Sequence, residues 1–458
     1  MSDLIQPKVL KGFRDILPAS EIQRSDLIEK ITQIYRSFGF VPIDTPVLEY
    51  TQILLRKSNG ETEKQVFRFE DNGGRDVAMR FDLTVPFARF TAEHYSELYM
   101  PFKRYHIAKV WRGEKPQAGR YREFVQCDID MVGSDSAAAD FEILNVLQTS
   151  LYNLQNIEGY EELKNHKITM CINHRGLLNR FLEKIGCQQK AQDILSWIDK
   201  LPKQSEEVKK ALREGRFSDV EVGKELISLT QTEENPSGFA KEIFKFIDPL
   251  KDFETTLQNM EQMAGGPSQD SKRLRDIYNM MCASGIQDAF ELNPAITRGL
   301  DYYTGVVFET FIEGMNIGSV CSGGRYDNLA GLYMKEKVPG VGGSIGLDRL
   351  IAGLEAIGVG KSRGSYLDVE IFCQNNDHMN YYQKVASELR KNGICVEVFP
   401  EAKKMNQQYN VTEAKNVEWG ILINEQDIEN NTFTLKNLKT REMSEKLNVE
   451  KAVLLIKK

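Results

Sequence analysis

Apolar and polar residues alternate through the run RYREFVQCDIDM at 120–131. In a β-strand, whose side chains point alternately to opposite faces, this puts Gln126, Asp128 and Asp130 on one face and Val125, Cys127, Ile129 and Met131 on the other. The run RFDLTV has the same parity and predicts a second such strand, with Arg80, Asp82 and Thr84 opposed by Met79, Phe81, Leu83 and Val85. A polar row backed by core either faces water, as on the open side of an ordinary antiparallel sheet, or lines a site. The alternation by itself leaves both open.

Helical periodicity is clearest at 20–39. There Leu27, Ile28, Ile31, Ile34, Tyr35 and Phe38 form one apolar stripe, with Ser20 placed to cap its start and Gly39 to end it. From Phe40 to Val132 strand-like runs dominate, broken by turn signals at Pro42, Pro46, Asn72-Gly73-Gly74, and Pro116 with Gly119. Residues 176–289 turn rich in Lys, Glu and Gln, with helical patches such as Ile194, Leu195, Trp197 and Ile198. Strand-like text returns in VVFETF, GSVCSGG and GVGGSIG, so a first domain of residues 1–175 and 290–357 is expected to be interrupted by a helical insertion at 176–289. Residues 358–365 have linker composition. Beyond them, 366–458 read as a smaller α/β domain. Leu367, Val369, Ile371 and Cys373 alternate, a helix runs toward Gly393, and ICVEVF, WGILIN, NTFTLK and KAVLLI are strand candidates.

The length of 458 residues fits this multidomain reading. With 41% hydrophobic and 27% charged residues, and no apolar run long enough to cross a bilayer, the chain reads as a water-soluble protein that makes no membrane contact. Its start, MSDLIQPKVL, lacks the basic end and apolar core of a secretory signal, so the cytoplasm is the expected location. Seven scattered cysteines, never spaced C-x-x-C, are expected to be reduced small hydrophobes rather than zinc ligands. A net charge of -7 gives no global attraction to nucleic acid, yet phosphate recognition rests on local Lys and Arg.

Two nucleotide motifs are excluded. GVGKS at 358–362 lacks the glycine a phosphate loop needs five positions before Gly360, where Glu355 stands, and no Rossmann glycine fingerprint follows a strand. Arginines are the remaining candidates. Arg112 ends the strand FKRYHIAKVWR, and Arg120 and Arg122 follow the turn GEKPQAG, so one hairpin gathers guanidinium groups able to grip phosphate oxygens in pairs. Taken singly, each arginine reads more readily as part of a solvated basic turn. RGLDYYTG at 298–305 sets Arg298, Asp301, Tyr302 and Tyr303 in one tight segment; if extended, one tyrosine faces a pocket and the other the core. SGGRYD and GVGGSIGLDRL add glycines that permit close backbone approach to a ligand, Tyr326, and Arg349 at the start of a helix.

Taken in order, RFDLTVPFARF, RYHIAKVWRGEKPQAGRYREF, VQCDIDMVG, RGLDYYTG, SGGRYDNL and GLDRL closely resemble histidyl-tRNA synthetase, a class II aminoacyl-tRNA synthetase, and the resemblance runs from GFRD near residue 12 through the C-terminal domain. It implies an α+β fold: a six-stranded antiparallel catalytic sheet flanked by helices, a helical insertion, a C-terminal α/β anticodon-binding domain, and a homodimer. It implies that L-histidine is activated with ATP, Mg²⁺ accompanying the nucleotide, and joined to its cognate tRNA. By matching position, Arg112 is expected on the ATP α-phosphate and the histidine carboxylate, Arg349 along adenine and the γ-phosphate, and Arg298 against the α-phosphate. Asp82 and Thr84 match positions that hold the α-amino group, and Gln126 one at the amino-carboxylate end. Asp130 and Tyr303 match the imidazole pair, with Tyr326 also near the ring, and Tyr302 is expected among the histidine-binding residues. Asp82 and Asp130 stand where many bacterial members carry glutamate. The motif 2 loop around Lys115 and Gln117 is expected to meet the tRNA acceptor end. A histidine-binding regulatory paralogue lacking the anticodon domain, and a class II synthetase for another amino acid, are the competing readings. Retention of Arg112, Arg298 and Arg349, and the chain beyond the linker, weigh against the first, and RGLDYYTG against the second.

Overall fold

In the computed structural model the polar row of residues 126–130 lies in the interior of a large sheet, covered on its apolar side by helices. The structure describes residues 4–55, 60–117, 119–201, 204–232, 235–297, 302–360 and 363–457. The chain forms two units, one of residues 1–14 and 27–359, the other of residues 15–26 and 360–458.

The larger unit contains strands β1 (Val41–Pro42), β2 (Leu48–Tyr50), β3 (Arg68–Glu70), β4 (Asp76–Met79), β5 (Phe102–Trp111), β6 (Glu123–Val132), β7 (Ile168–His174), β8 (Phe290–Leu292), β9 (Val306–Ile312), β10 (Cys321–Tyr326) and β11 (Gly340–Gly346). Its main sheet has eight strands in the order β1-β5-β6-β11-β10-β9-β7-β8. The middle six pair antiparallel throughout, as expected, and β1 and β8 add to the two edges as short parallel strands. The other three strands form a small sheet in the order β2-β4-β3.

Parity holds on β6: Val125, Cys127, Ile129 and Met131 are buried in a continuous core with Leu27, Ile31 and Tyr35 of the helix Pro18–Ser37 and Ile143, Leu144 and Leu147 of the helix Ala137–Tyr152. Tyr35 also donates its hydroxyl to the Cys127 carbonyl at 2.9 Å, fixing helix to strand. RFDLTV departs from the expected strand. β4 stops at Met79, Thr84 starts the helix Thr84–Glu93, and Asp82 Oδ1 accepts the Val85 amide at 3.1 Å, a helix-start contact. Because residues 80–88 are buried on every side, no water-facing side exists to enforce a period of two.

Among the described residues of 176–289 every regular element is a helix, and their apolar side chains, including Trp197, Phe246 and Leu274, join the same continuous core as the sheet. The smaller unit has its own core around Val369, Ile371, Leu389, Ile421 and Phe433. Its sheet consists of β12 (Val369–Ile371), β13 (Val396–Val398), β14 (Trp419–Leu422), β15 (Phe433–Asn437) and β16 (Met443–Leu447), ordered β13-β12-β14-β15-β16. KAVLLI departs from expectation: it lies in the helix Val449–Ile456, capped by the Asn448 side chain accepting the Lys451 amide at 3.1 Å. A short apolar run carries no period that separates strand from helix, and the cap decides. None of the seven cysteines is in a disulfide; Cys282 and Cys395 are exposed and the others buried.

Candidate active site

Two cavities share a wall on the polar face of the main sheet. The first, of about 210 Å³, is lined by Arg112 from the end of β5, Arg120 from the hairpin, Arg349 from the helix Leu347–Ala356, and residues of β10 and β11. The second, of about 200 Å³, is lined by Asp82, Thr84, Asp128, Tyr302 and Tyr303. Arg112, Gln126, Ser322 and Ser344 line both.

The first cavity is cationic. Arg112 donates its Nε to the Phe81 carbonyl at 3.0 Å, and its guanidinium lies 5.2 Å from the centre of the Phe124 ring, so the group is aimed before any ligand arrives. Arg349 donates to the Ser319 carbonyl at 2.8 Å. Burial, then repulsion from Arg120 and Arg112, pulls the Arg349 pKa down. Three guanidinium groups from separate elements therefore face one another, and a polyanion between them would relieve that repulsion. Arg122 is spent otherwise, donating to the carbonyls of Glu114 and Lys11 at 3.2 and 3.1 Å. Arg14, from the GFRD run, pairs with Asp348 and lies 3.7 Å over the Tyr121 ring, bracing the wall. Arg298 lies outside the described residues.

The second cavity is acidic. Asp82 is buried, and its Oδ2 accepts the Tyr302 hydroxyl at 3.1 Å; burial raises its pKa, and Arg112 opposes the rise. Asp128 is buried with its Oδ1 lacking a hydrogen-bond partner among the described residues. Burial and the neighbouring Asp130 charge push its pKa up to about 7 against the pull of Arg104. Gln126 donates to the Ser344 hydroxyl at 3.1 Å and leaves its Oε1 without a partner at the junction of the two cavities.

Several expectations change here. Tyr302 and Tyr303 both line the acidic cavity, with ring centres 5.0 Å apart at 72°, because the chain turns at 302–305 instead of running extended. Arg80 does not line either cavity; it donates to the carbonyls of Lys109 and Thr45 at 3.1 and 2.6 Å. Asp130 and Tyr326, expected beside the ring of the substrate, are not among the residues that line the acidic cavity. Tyr326 donates its hydroxyl to Asp130 Oδ1, and Arg104, fully buried opposite Asp130 on β5, pairs with Oδ2. Their packing needs the glycines of β11: a Cβ on Gly342 would lie 2.0 Å from Asp130 Oδ1, and one on Gly340 2.3 Å from the Tyr326 ring. Arg104 went unnoticed in the sequence, where it is one basic residue in an amphipathic strand; the register opposite Asp130 reveals it. Ser322 and Ser344 were missed likewise, although they share one cross-strand row with Asp128.

A family model described as Histidyl-tRNA synthetase matches residues 12–350, and one described as Anticodon binding domain matches residues 368–458. The chain is 55% identical over 425 residues to the "Histidine--tRNA ligase" of Treponema denticola, covering 92% of this chain and 90% of that protein. To that of Helicobacter pylori strain J99 it is 41% identical over 437 residues, 95% of this chain and 94% of that protein. Among solved structures, histidyl-tRNA synthetase from Nostoc sp. PCC 7120 is similar over 99% of both chains, with a TM-score of 0.83 and 27% identity.

Proposed function

The chain belongs to the histidyl-tRNA synthetase family, and on that premise we propose that the acidic cavity holds L-histidine while the arginine-lined cavity holds the triphosphate of ATP. The chain is a histidine-tRNA ligase: it activates histidine with ATP to histidyl-adenylate, releasing pyrophosphate, and transfers histidine to the 3′ end of its tRNA. The observation that carries the division of labour is the convergence of Arg112, Arg120 and Arg349 on one cavity that meets an acidic chamber at Arg112 and Gln126.

A zwitterionic substrate suits this polarity. Its ammonium group sits against Asp82 and Thr84, its ring beside Tyr302 and Tyr303, and its carboxylate at Gln126 and Arg112, where the first cavity begins. Asp130 and Tyr326 support this chamber. The carboxylate oxygen attacks the α-phosphorus of ATP, a P–O bond forms as the bond to pyrophosphate breaks, and the electron pair leaves with pyrophosphate. The nucleophile is already an anion, so the protein's contribution is alignment and neutralisation of charge on five-coordinate phosphorus. Arg112 and Arg298 act on the α-phosphate, and Arg349 lies along adenine and reaches the γ-phosphate. The terminal ribose hydroxyl of tRNA then attacks the adenylate carbonyl and AMP leaves.

Among the described residues no group of three or more His, Cys, Asp or Glu side chains could hold a metal ion. Mg²⁺ brought with the nucleotide would offset phosphate charge beside Arg112 and Arg349. The segment at 176–289 is the helical insertion of the catalytic domain at 1–175 and 290–357, residues 358–365 are the linker, and 366–458 contact the tRNA anticodon. Exposed apolar side chains on and beside β2, Val47, Leu48 and Tyr50, support a homodimer. No helix among the described residues is long and apolar enough to cross a membrane; the enzyme works in the cytoplasm.

Histidine-dependent exchange of labelled pyrophosphate into ATP tests this reading. Exchange that needs histidine supports it; histidine binding without exchange would favour a regulatory role.

A further inference from the structure

Successive residues of a strand point to opposite sides of its sheet, and the last two of β10 divide accordingly. Tyr326 packs against Tyr302, ring centres 5.9 Å apart, whereas Arg325 is buried against the helix Ala137–Tyr152. There Arg325 Nε donates to Asp140 Oδ1 at 2.7 Å, and Arg273 Nε, from the helix Gln269–Ala283, donates to Asp140 Oδ2 at 2.6 Å. Asp140 has no exposed surface, and a guanidinium group holds each of its oxygens. Asp135 is shared by the same two arginines, 2.9 Å from Arg273 Nη2 and 3.5 Å from Arg325 Nη1.

From Arg325 the bonds continue to the tyrosines. Arg325 Nη1 donates to Asp327 Oδ1 at 3.2 Å, Thr304 donates its hydroxyl to Asp327 Oδ2 at 2.7 Å, and the Thr304 amide donates to the Arg325 carbonyl at 2.8 Å. Thr304 directly follows Tyr303, and a Cβ on Gly305 would lie 3.1 Å from Arg325 Cδ, so the turn at 302–305 is seated on this arginine. The helix Gln269–Ala283 reaches the turn by a second route. A Cβ on Gly176 would lie 2.3 Å from Asp270 Oδ2, and the neighbouring Arg175 donates its side chain to the Tyr303 carbonyl at 2.6 Å and its amide to the Gly305 carbonyl at 3.0 Å. Asp270 and Arg273 are one helical turn apart, so a single turn meets both supports.

We propose that the first turn of the helix Gln269–Ala283 sets the position of Tyr302 and Tyr303 through Asp140, Arg325 and Asp327, which makes Arg273 a positioning residue for the amino-acid substrate; this rests on the acidic cavity being the histidine site. Arg273 lines neither cavity. A buried ion network stabilises a fold little compared with apolar side chains of the same volume, whereas its directional bonds fix geometry. That is the property a turn carrying two tyrosines of the site requires.

A double-mutant cycle in histidine-dependent pyrophosphate exchange tests the coupling. Arg273→Ala and Thr304→Val should each raise the KM for histidine about fivefold, in line with the loss of one hydrogen bond, and leave the KM for ATP within twofold. In the double variant the effects should not multiply: once Thr304 no longer ties the turn to Asp327, loss of Arg273 should add less than twofold. Arg273→Lys, which keeps the charge and a donor, should recover most of the histidine KM. Should Arg273→Ala not fold, Arg273→Gln carries the cycle. The proposal is overturned if the Arg273 variant keeps its histidine KM within twofold of wild type, if the KM for ATP rises equally, or if the two effects multiply in full, as independent structural damage would. Wild-type enzyme without any histidine-dependent exchange would overturn the function proposed for the site, and this inference with it.

Discussion

The Tyr302 hydroxyl donates to Asp82 Oδ2 at 3.1 Å, joining residues 220 positions apart across the acidic cavity. The phenol orients a carboxylate whose other oxygen is held by the Val85 amide. Tyr302→Phe should raise the KM for histidine about fivefold, in line with the loss of one ordinary hydrogen bond, and change the KM for ATP little. Steady-state exchange kinetics with each substrate varied in turn checks this; an equal rise in both constants would show that the bond does not act locally.

Arg349 faces Arg120 and Arg112, which depress its pKa along with burial. Removing it relieves repulsion in the free enzyme and weakens the grip on the nucleotide. Arg349→Ala is predicted to unfold at a temperature no lower than wild type without ATP, to lose most of the upward shift that saturating ATP produces, and to need about 10- to 100-fold more ATP for half-maximal exchange. Thermal unfolding with and without ATP reads both effects.

For Arg298, proposed to act on the α-phosphate, the alanine variant should lose about two to three orders of magnitude in adenylation rate, as for a dedicated transition-state donor, while binding histidine nearly as well. Single-turnover adenylate formation measures it. A near-normal rate would remove Arg298 from the mechanism.

Arg175 donates to the Thr297 carbonyl at 3.3 Å and to the Tyr303 carbonyl at 2.6 Å, the residues on either side of segment 298–301. Arg175→Ala should raise the histidine KM about tenfold through Tyr303, and added guanidinium ion should restore part of the activity. An unrescued loss that tracks the folded fraction would reduce its role to stability.

His106 is buried beside Arg104 and Arg80, and burial first, then their charges, lowers its pKa from 6.5 to about 4. Between those values the unfolded chain binds a proton that the folded chain refuses, so this group makes stability rise with pH and fall on acidification, by at most about 1.4 kcal/mol per pH unit. Asp128, whose folded pKa is raised, contributes with the opposite sign between 3.8 and about 7. The difference between wild type and His106→Gln isolates the histidine: the variant's denaturation midpoint should fall less steeply from pH 6.5 to 4.

The sequence alone determined β6, because the alternation from Val125 to Met131 has one stable solution when one face is core. It determined the strands of VVFETF and GVGGSIG, and it carried the family, because the arginine and tyrosine motifs keep their order along the chain. It did not determine the local structure of RFDLTV, where burial on all sides removes the contrast that parity needs. Nor could it separate Asp128 from Asp130, since a period of two puts both on one face. Only the tertiary structure made that choice: the register sets Arg104 across from Asp130 and Tyr326 reaches it from β10, closing one carboxylate off while its neighbour two residues away stays open to the cavity.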